Sequence, residues 1–512
     1  MLSVFNGAVI FMGIPTETNW QSNADSLVFK NTAFINGAYV TPSSGDFFRI
    51  INPYKPTGGR AVLNCRQPEI DLAARLAQSA FNTGMIERLG SNKPKQILYD
   101  LADRINKDAP TFALYDSLEV GKPISFALME VQIAVDILRF CAEAGDKLYG
   151  RTSTTIPGAF AFELLEPRGV VAAIIPWNFP TIQCAAKIGA AIATGNACIL
   201  KPSELALSSA LKMAEMSVAS GWPAEALSVV TGDGETGRLL AGNPAVDMIS
   251  FTGSTKTGAA VMATAARSGL KKVVLECGGK SPTIVMDDAK HLDLEVIAQT
   301  IVQEVMWNQG QVCTAKTRLF VHAGIFDELM DKIVAACRAW TPGDPLDPET
   351  NFGPLVSAGQ RRIVEAYIES GRNAGAEQLY GNDVVLPDSG EFVAPTVFST
   401  RDSSISIARE EIFGPVLTAQ PFTTSDEAIT LANDSDYGLS ATLWTTDFAT
   451  ANIWVKAIKA GMVRVNGSNN LAEEPLFSLA AEPYKQSGFG TDGGLSGLEN
   501  MMIRKSAFFS FG

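Results

Sequence analysis

The sequence predicts an α/β protein in which short apolar strands alternate with amphipathic helices around parallel sheets. Three observations carry that expectation. Apolar runs recur at 170–175, 197–200, 228–230, 248–251 and 272–275. Stretches of helix length, such as 205–219 and 257–268, separate them and suit the crossovers a parallel sheet needs. The alternation resumes after Gly278, with 283–285, 292–304, 317–322 and 326–340, so a second α/β unit is expected. Ahead of these runs, 72–108 and 111–146 read as mainly helical, punctuated by Pro94, Pro110 and Pro123. Between the helical region and the first strand, 151–166 reads as a hairpin turning at Pro157-Gly158. That excursion has little to pack on within its own unit.

Composition removes several classes of function. A chain of 512 residues with 46% apolar and 19% charged residues has the makings of two or three domains with large cores, and is neither disordered nor a disulfide scaffold. Lys and Arg number 41 against 54 Asp and Glu, a net charge of −13 that repels nucleic acid and anionic lipid. His291 and His322 are the only histidines, and neither has a second His or a Cys at ligand spacing. No metal site and no Ser-His-Asp triad is therefore expected. The seven cysteines are odd in number, spread out and free of Cys-x-x-Cys, which reads as reduced thiols of a cytoplasmic protein. Residues 1–14 are apolar, yet the first basic residue is Lys30, a poor match to a signal peptide. The apolar stretch 169–200 is interrupted by Pro176, Asn178, Pro180, Lys187 and Asn196, so it reads as buried strand and helix and no membrane contact is expected.

Five segments carry chemistry. Cys313 follows Asn308-Gln309-Gly310-Gln311-Val312 on a small polar turn, where a thiol is accessible; with no His nearby, backbone N–H groups or a cofactor's cationic ring must activate it. Glu276 closes the run 272–275 and precedes Cys277-Gly278-Gly279-Lys280. A carboxylate at the carboxyl end of a strand lies where ligands bind in open α/β sheets, and burial there raises its pKa toward that of a general base. Asn178, in Pro176-Trp177-Asn178-Phe179-Pro180, offers a fixed amide to an oxyanion. Phe251-Thr252-Gly253-Ser254-Thr255 leaves a strand and opens a helix, so its N–H groups and the Ser254 hydroxyl suit a phosphate. Lys201-Pro202-Ser203-Glu204 places a carboxylate where nucleotide-binding sheets meet the adenosine ribose. Alone, each segment has an ordinary structural reading as a buried thiol, a strand-end acid, a turn or a helix cap.

Together and in order, with Glu410-Glu411-Ile412-Phe413-Gly414-Pro415, these motifs resemble the aldehyde dehydrogenase superfamily, from Phe34-Ile35-Asn36-Gly37 to Tyr484-Lys485-Gln486-Ser487-Gly488. Glu119-Val120-Gly121-Lys122-Pro123-Ile124, the run Lys271-Lys272-Val273-Val274-Leu275 and Gly343-Asp344-Pro345-Leu346-Asp347 are most similar to the bacterial γ-glutamyl-γ-aminobutyraldehyde or aminoaldehyde branch. The resemblance implies three parts: an NAD(P)-binding, Rossmann-like domain (1–150 and 167–276), an α/β catalytic domain (277–477) and a small β oligomerisation element (151–166 and 478–512). It makes Cys313 the nucleophile, Glu276 the general base, and Asn178 with the Cys313 N–H the oxyanion hole. Lys187 becomes a proton relay. Trp177, Lys201, Glu204, Gly253, Ser254, Glu411 and Phe413 become the cofactor-binding set, with NAD expected and NADP possible. A homodimer or homotetramer acting on a small-molecule aldehyde follows.

Departures from the family pattern shape the substrate expectation. The segment 466–484 is longer than usual, with Ala481 where a Phe is common, and Ala186 stands where a Trp is common. Gln183 replaces an apolar residue. A wider and more polar tunnel, favouring a bulky or polar aldehyde, is the expectation, with Trp307 keeping an aromatic near the nucleophile and Glu482 near the mouth. Thr491-Asp492 replaces Arg-Glu, which shortens the acid expected beside Lys187. Two alternatives stay open: a CoA-acylating enzyme, against which Glu276 argues, and a non-enzymatic binding or structural relative, against which Cys313 argues.

Overall fold

The structure, a computed structural model, describes residues 3–5, 8–10, 18–153, 157–467 and 479–511. Most of the apolar start 1–14, part of the 151–166 hairpin (154–156) and much of the longer segment (468–478) lie outside the described residues.

Two parallel sheets dominate. The first has eight strands in the order Gly488–Phe489, Lys272–Glu276, Met248–Thr252, Val170–Ile174, Ala197–Lys201, Leu227–Val229, Ala33–Ile35, Ala38–Val40. Its five central strands are parallel, and Val170–Ile174, Ala197–Lys201 and Met248–Thr252 are buried along their whole length, as the unbroken apolar runs foretold. Helices cover the sheet. Pro180–Ala193, started by Pro180, packs on Ile124–Ala144, which also packs on Asn92–Lys107. Each buried Val, Ile or Leu in such a core contributes roughly 1.5–3 kcal/mol relative to exposure. Because the chain leaves Val170–Ile174 toward one side for two strands and then returns to the other, the strand order reverses beside Val170–Ile174. At such a reversal the loops leaving the strands separate and open a crevice.

The region read as 72–108 is interrupted: helix Gln67–Asn82 ends at Thr83, and Asn92–Lys107 starts afresh after Gly84 and Gly90, both with positive φ. The second sheet runs Glu377–Tyr380, Thr396–Ser399, Val416–Phe422, Arg318–His322, Pro282–Val285, Ser440–Trp444, Met462–Val465. It is parallel except for Glu377–Tyr380. Helix Leu294–Met306 packs beside Phe326–Cys337 and leads into the turn that carries Cys313.

The strand Ala159–Pro167 of the excursion pairs along its full length with Met502–Ser510, and Thr152–Ser153 adds a short third strand. Only part of the segment 478–512 joins this small sheet. Gly488–Phe489 pairs instead with Leu275 and Glu276 at the edge of the first sheet, and Gly494–Asn500 packs on Pro180–Ala193. The reason is local: Gly488 has φ +121, and a Cβ there would sit 1.9 Å from the Leu275 carbonyl oxygen. Among the described residues no helix is long and apolar enough to cross a membrane, and no cluster of His, Cys, Asp and Glu is placed to hold a metal ion. All seven cysteines are free thiols.

Candidate active site

The strands of the first sheet deliver the sequence motifs to one place. Ile174 leads into Pro176-Trp177-Asn178, Lys201 ends its strand before Ser203 and Glu204, Thr252 precedes Gly253 and Ser254, and Glu276 is the last residue of its own strand. Every one of these ends is a carboxyl end. They line a cavity of about 470 Å³, which Cys313, Gln183, Gln360, Glu411 and Phe413 close from the second sheet's side and from helix Pro180–Ala193. Of the eleven positions singled out for catalysis or cofactor binding, only Lys187 lies off the wall, close enough to Glu276 for its charge to act on that carboxyl.

Cys313 is held by a knot of amides. After helix Leu294–Met306 the chain turns through Asn308 (φ 47) and Gln309 (φ 57), both in the left-handed region, which costs of order 1–3 kcal/mol each for residues other than glycine. Hydrogen bonds offset that cost. Gln311 donates to the Asn308 carbonyl (3.1 Å) and accepts from the Val356 N–H (3.0 Å), while the Asn308 amide donates to the Asn178 carbonyl (2.9 Å). The Asn178 side-chain amide in turn donates to the Gln311 carbonyl (2.9 Å), which commits one of its hydrogens and leaves the other for an oxygen in the cavity.

The thiol end is half-buried and crowded with carboxyl groups. Burial, and after it the Glu411 and Glu276 carboxylates, push the Cys313 thiol up to about 12, against the pull of the Thr314 and Cys313 N–H groups. Burial and then Asp492 raise Glu276 well above the usual carboxylate range, with the Lys187 ammonium opposing. Glu411 rises to about 7, chiefly from burial, although it accepts the Gly279 N–H at 3.0 Å. Its carboxylate presses on Gly278, where a Cβ would come within 2.0 Å of it. Lys187 is buried, donates to Ser250 Oγ (2.8 Å) and pairs with Asp492, whose other oxygen accepts from Ser250 Oγ (3.0 Å). The shorter acid therefore still reaches the lysine, because pairing of Gly488–Phe489 draws its segment against the sheet.

The opposite end is open. Ser254 caps helix Thr255–Arg267, accepting from the Thr257 N–H (3.3 Å), so the N–H groups of its first turn face the cavity. Lys201 is buried along its stem, and its ammonium pairs with the Glu204 carboxylate at 3.6 Å, too long for a strong hydrogen bond. Burial lowers the Lys201 pKa. Gly237 lies against the Lys201 stem, and Arg238, paired with Glu235 at 2.6 Å, adds a second cation to this wall. Trp177 meets Phe413 edge to face, ring centroids 5.3 Å apart, and Gln360 donates to the Phe413 carbonyl (2.9 Å), fixing that residue's φ of 55.

The tunnel residues divide. Gln183 lines the cavity, whereas Ala186 packs against the apolar core and neither Ala481 nor Trp307 forms part of the wall. Trp307 is buried against Phe126, with ring centroids 5.8 Å apart. Glu482 accepts the Gly490 N–H at 3.0 Å, so one of its oxygens serves the backbone. Neither the bonds that knot Asn308 and Gln311 to Asn178 nor the separate hold of Gln360 on the Phe413 carbonyl was foreseen. Asn308-Gln309-Gly310 at a helix end carried a usable signal, since Asn and Gly mark left-handed caps; Gln360 carried none.

A sequence model described as the aldehyde dehydrogenase family matches residues 39–507. The chain belongs to the aldehyde dehydrogenase family. As a member, it is an oxidoreductase acting on aldehydes. It is 38% identical over 493 residues to the NADP/NAD-dependent aldehyde dehydrogenase PuuC of Escherichia coli (strain K12), covering 96% of this chain and 98% of that protein. The crystal structure of γ-glutamyl-γ-aminobutyraldehyde dehydrogenase from Burkholderia cenocepacia J2315 superimposes with a TM-score of 0.93 at 38% identity, covering 96% of this chain and 99% of that one. The indole-3-acetaldehyde dehydrogenase AldA of P. syringae, solved with NAD+ and IAA, gives 0.92 at 37% identity, covering 96% and 99%.

Proposed function

We propose that this aldehyde dehydrogenase oxidises a polar aldehyde to its carboxylate with NAD as cofactor, Cys313 as nucleophile and Glu276 as general base. One observation carries the reading: a single cavity holds Cys313 and Glu276 at one end and the Lys201–Glu204 pair at the other.

The open end fits a dinucleotide. Lys201 has donors to spare for ribose hydroxyls, Glu204 accepts from them, and Ser254 with the first turn of helix Thr255–Arg267 suits a pyrophosphate. Trp177, Gly253, Glu411 and Phe413 then flank the nicotinamide end. When bound, the dinucleotide supplies a hydride acceptor and a cationic ring beside the thiol. The Cys313 thiol releases its proton to solvent in the open cavity as its sulfur adds to the aldehyde carbon, and the free Asn178 hydrogen together with the Cys313 N–H hold the oxygen as it gains charge. After oxidation Cys313 carries a thioester. Glu276 takes one proton from the water that cleaves it, the acid so formed passes its other proton to the departing sulfur, and the carboxylate leaves with the Cys313 thiol restored. Lys187 and Asp492, hydrogen-bonded through Ser250, offer the proton a way from Glu276.

Gln183 supports a polar substrate, because its half-buried amide faces the cavity and makes no side-chain hydrogen bond among the described residues. The aminoaldehyde acted on by the Burkholderia relative agrees with that chemistry. The three-part division of the chain rests on its separate sheets, with the 478–512 boundary redrawn around Met502–Ser510. A homodimer or homotetramer is supported by the aromatic face of the small sheet, where Phe160 and Phe509 are 38% and 49% exposed and Phe162 stacks on Phe509 at 5.7 Å. Seven free thiols favour a cytoplasmic setting. The deciding experiment follows NADH with and without CoA over a panel of aldehydes. Turnover without CoA, lost in Cys313→Ala, is the expected result; turnover that requires CoA would replace hydrolysis by acyl transfer.

A further inference from the structure

Lys122 and Glu130 form an ion pair in which both side chains are completely buried, and no step of the chemistry above uses either. Lys122 lies in the turn between helices Ala109–Val120 and Ile124–Ala144, and Glu130 stands on the second turn of the latter. The turn cannot shift. Gly121 has φ +87, a Cβ there would meet Pro354 and Pro53 within 2.9 Å, and the Ile124 N–H donates to the Pro345 carbonyl (2.8 Å). From this fixed point the Lys122 ammonium donates to the backbone carbonyl of Asn178 (2.9 Å) and lies over the Phe179 ring, 4.2 Å from its centroid. The same carbonyl accepts the Asn308 amide (2.9 Å), and the Asn178 side chain reaches the Gln311 carbonyl, two residues before Cys313.

A buried ion pair is a weak source of stability, because desolvating both charges cancels much of their attraction and apolar residues of similar volume do as well or better. Here the cost stays high: the second Glu130 oxygen has only the Trp307 indole N–H to face it, and a third buried ionisable group, Asp116, lies near enough to act on both members of the pair. What the pair does provide is one of the two hydrogen bonds that hold the Asn178 carbonyl, the Asn308 amide giving the other. We infer that Lys122, steadied by Glu130, is a positioning residue for the oxyanion amide: it fixes the Asn178 carbonyl, and so the direction of the side-chain N–H beside Cys313. The inference rests on the reading of Asn178 as an oxyanion donor.

The test uses the full chain with NAD and propionaldehyde, measuring the pre-steady-state burst of NADH, the KM for NAD and the melting temperature. Lys122→Met is expected to slow the burst roughly tenfold to a hundredfold while the KM for NAD stays within about twofold, since a misplaced donor loses transition-state contact and not cofactor contact. As Lys122→Met leaves Glu130 buried and unpaired, the double variant Lys122→Met/Glu130→Leu removes both charges; it is expected to melt no lower than the parent and still show the slow burst. A double variant that folds stably and bursts at the parent rate overturns the inference. Asn178→Ala separates the two readings. If it keeps a fast burst, the oxyanion assignment fails whatever Lys122 does. If Asn178→Ala is slow, adding Lys122→Met should cost little more, and fully multiplying losses would show that Lys122 does not act through Asn178.

Discussion

The two ends of the cavity are built on opposite principles. Around Cys313 the amides of Asn178, Asn308 and Gln311 and the Lys187 ammonium are buried and tied down: Asn178 to Gln311, Gln311 to Asn308, Lys187 to Asp492. Around Lys201, whose own side chain is buried, the neighbouring charges Glu204, Glu235 and Arg238 face solvent, with Glu204 44% exposed, and they meet in loose or local pairs. Charges held so loosely at a surface rearrange readily. The buried end trades adaptability for fixed geometry, and the open end keeps the reverse. Substitutions at the first should therefore change what chemistry occurs, and at the second only which ligand is preferred.

The sharpest division comes from Cys313→Ala. NADH formation should fall by roughly 10⁴-fold or more, the scale on which losing a nucleophile acts, while NAD binding, followed by quenching of protein fluorescence, persists. Loss of NAD binding as well would mean that the two ends are one cooperative unit. Glu276→Gln should keep the NADH burst and slow steady-state turnover by roughly 10² to 10⁴-fold. Since burial holds the Glu276 proton on beyond the usual carboxylate range, the parent's steady-state rate should rise with pH as that proton leaves. In Glu276→Gln that rise should vanish; a pH profile identical to the parent's removes Glu276 from deacylation.

Gln183→Met should favour hexanal over 3-aminopropionaldehyde, moving the ratio of their kcat/KM values by roughly ten- to two-hundredfold. Ala186→Trp makes a useful contrast. It drives an indole against the core and should lower the melting temperature without altering that ratio, whereas a changed ratio would bring Ala186 back to the tunnel. The smallest effect is at the open end. The parent should prefer NAD, and Glu204→Thr should raise relative kcat/KM for NADP several-fold by lifting repulsion from a 2′-phosphate, with Lys201 and Arg238 left to meet it. A parent with higher kcat/KM for NADP would reverse the role assigned to Glu204.

Legibility in the sequence followed the same division. Strand ends were readable because the buried central strands are mostly apolar, so the charged residue after Leu200 or Leu275 marks where the chain reaches the crevice. Cys313 was readable from the turn before it. The contacts that aim it were not, because Lys122, Asn178 and Gln311 meet through backbone carbonyls, which any residue supplies. Ala186 illustrates a different loss. It was placed in the tunnel by motif alone; half-buried and three residues from Gln183 on the same face of helix Pro180–Ala193, it rests against the edge of the core and does not line the cavity that Gln183 reaches. Gly488 was legible only as a glycine; its partner Leu275 is far away in sequence, and no local pattern records such a pairing.

That pairing has a consequence for the timing of biogenesis. The strand ending in Glu276 gains its edge neighbour, and Lys187 its acid, only from residues 488–492, about 180 positions after Cys313. At the usual pace of 5–20 residues per second, the ribosome needs roughly 10 to 40 s to cover that distance. Throughout that interval Cys313 has been synthesised while Glu276, proposed as its base, still lacks an edge neighbour and Lys187 its acid. On that reading the last touch to the site is the docking of residues 488–492 against a sheet made long before them.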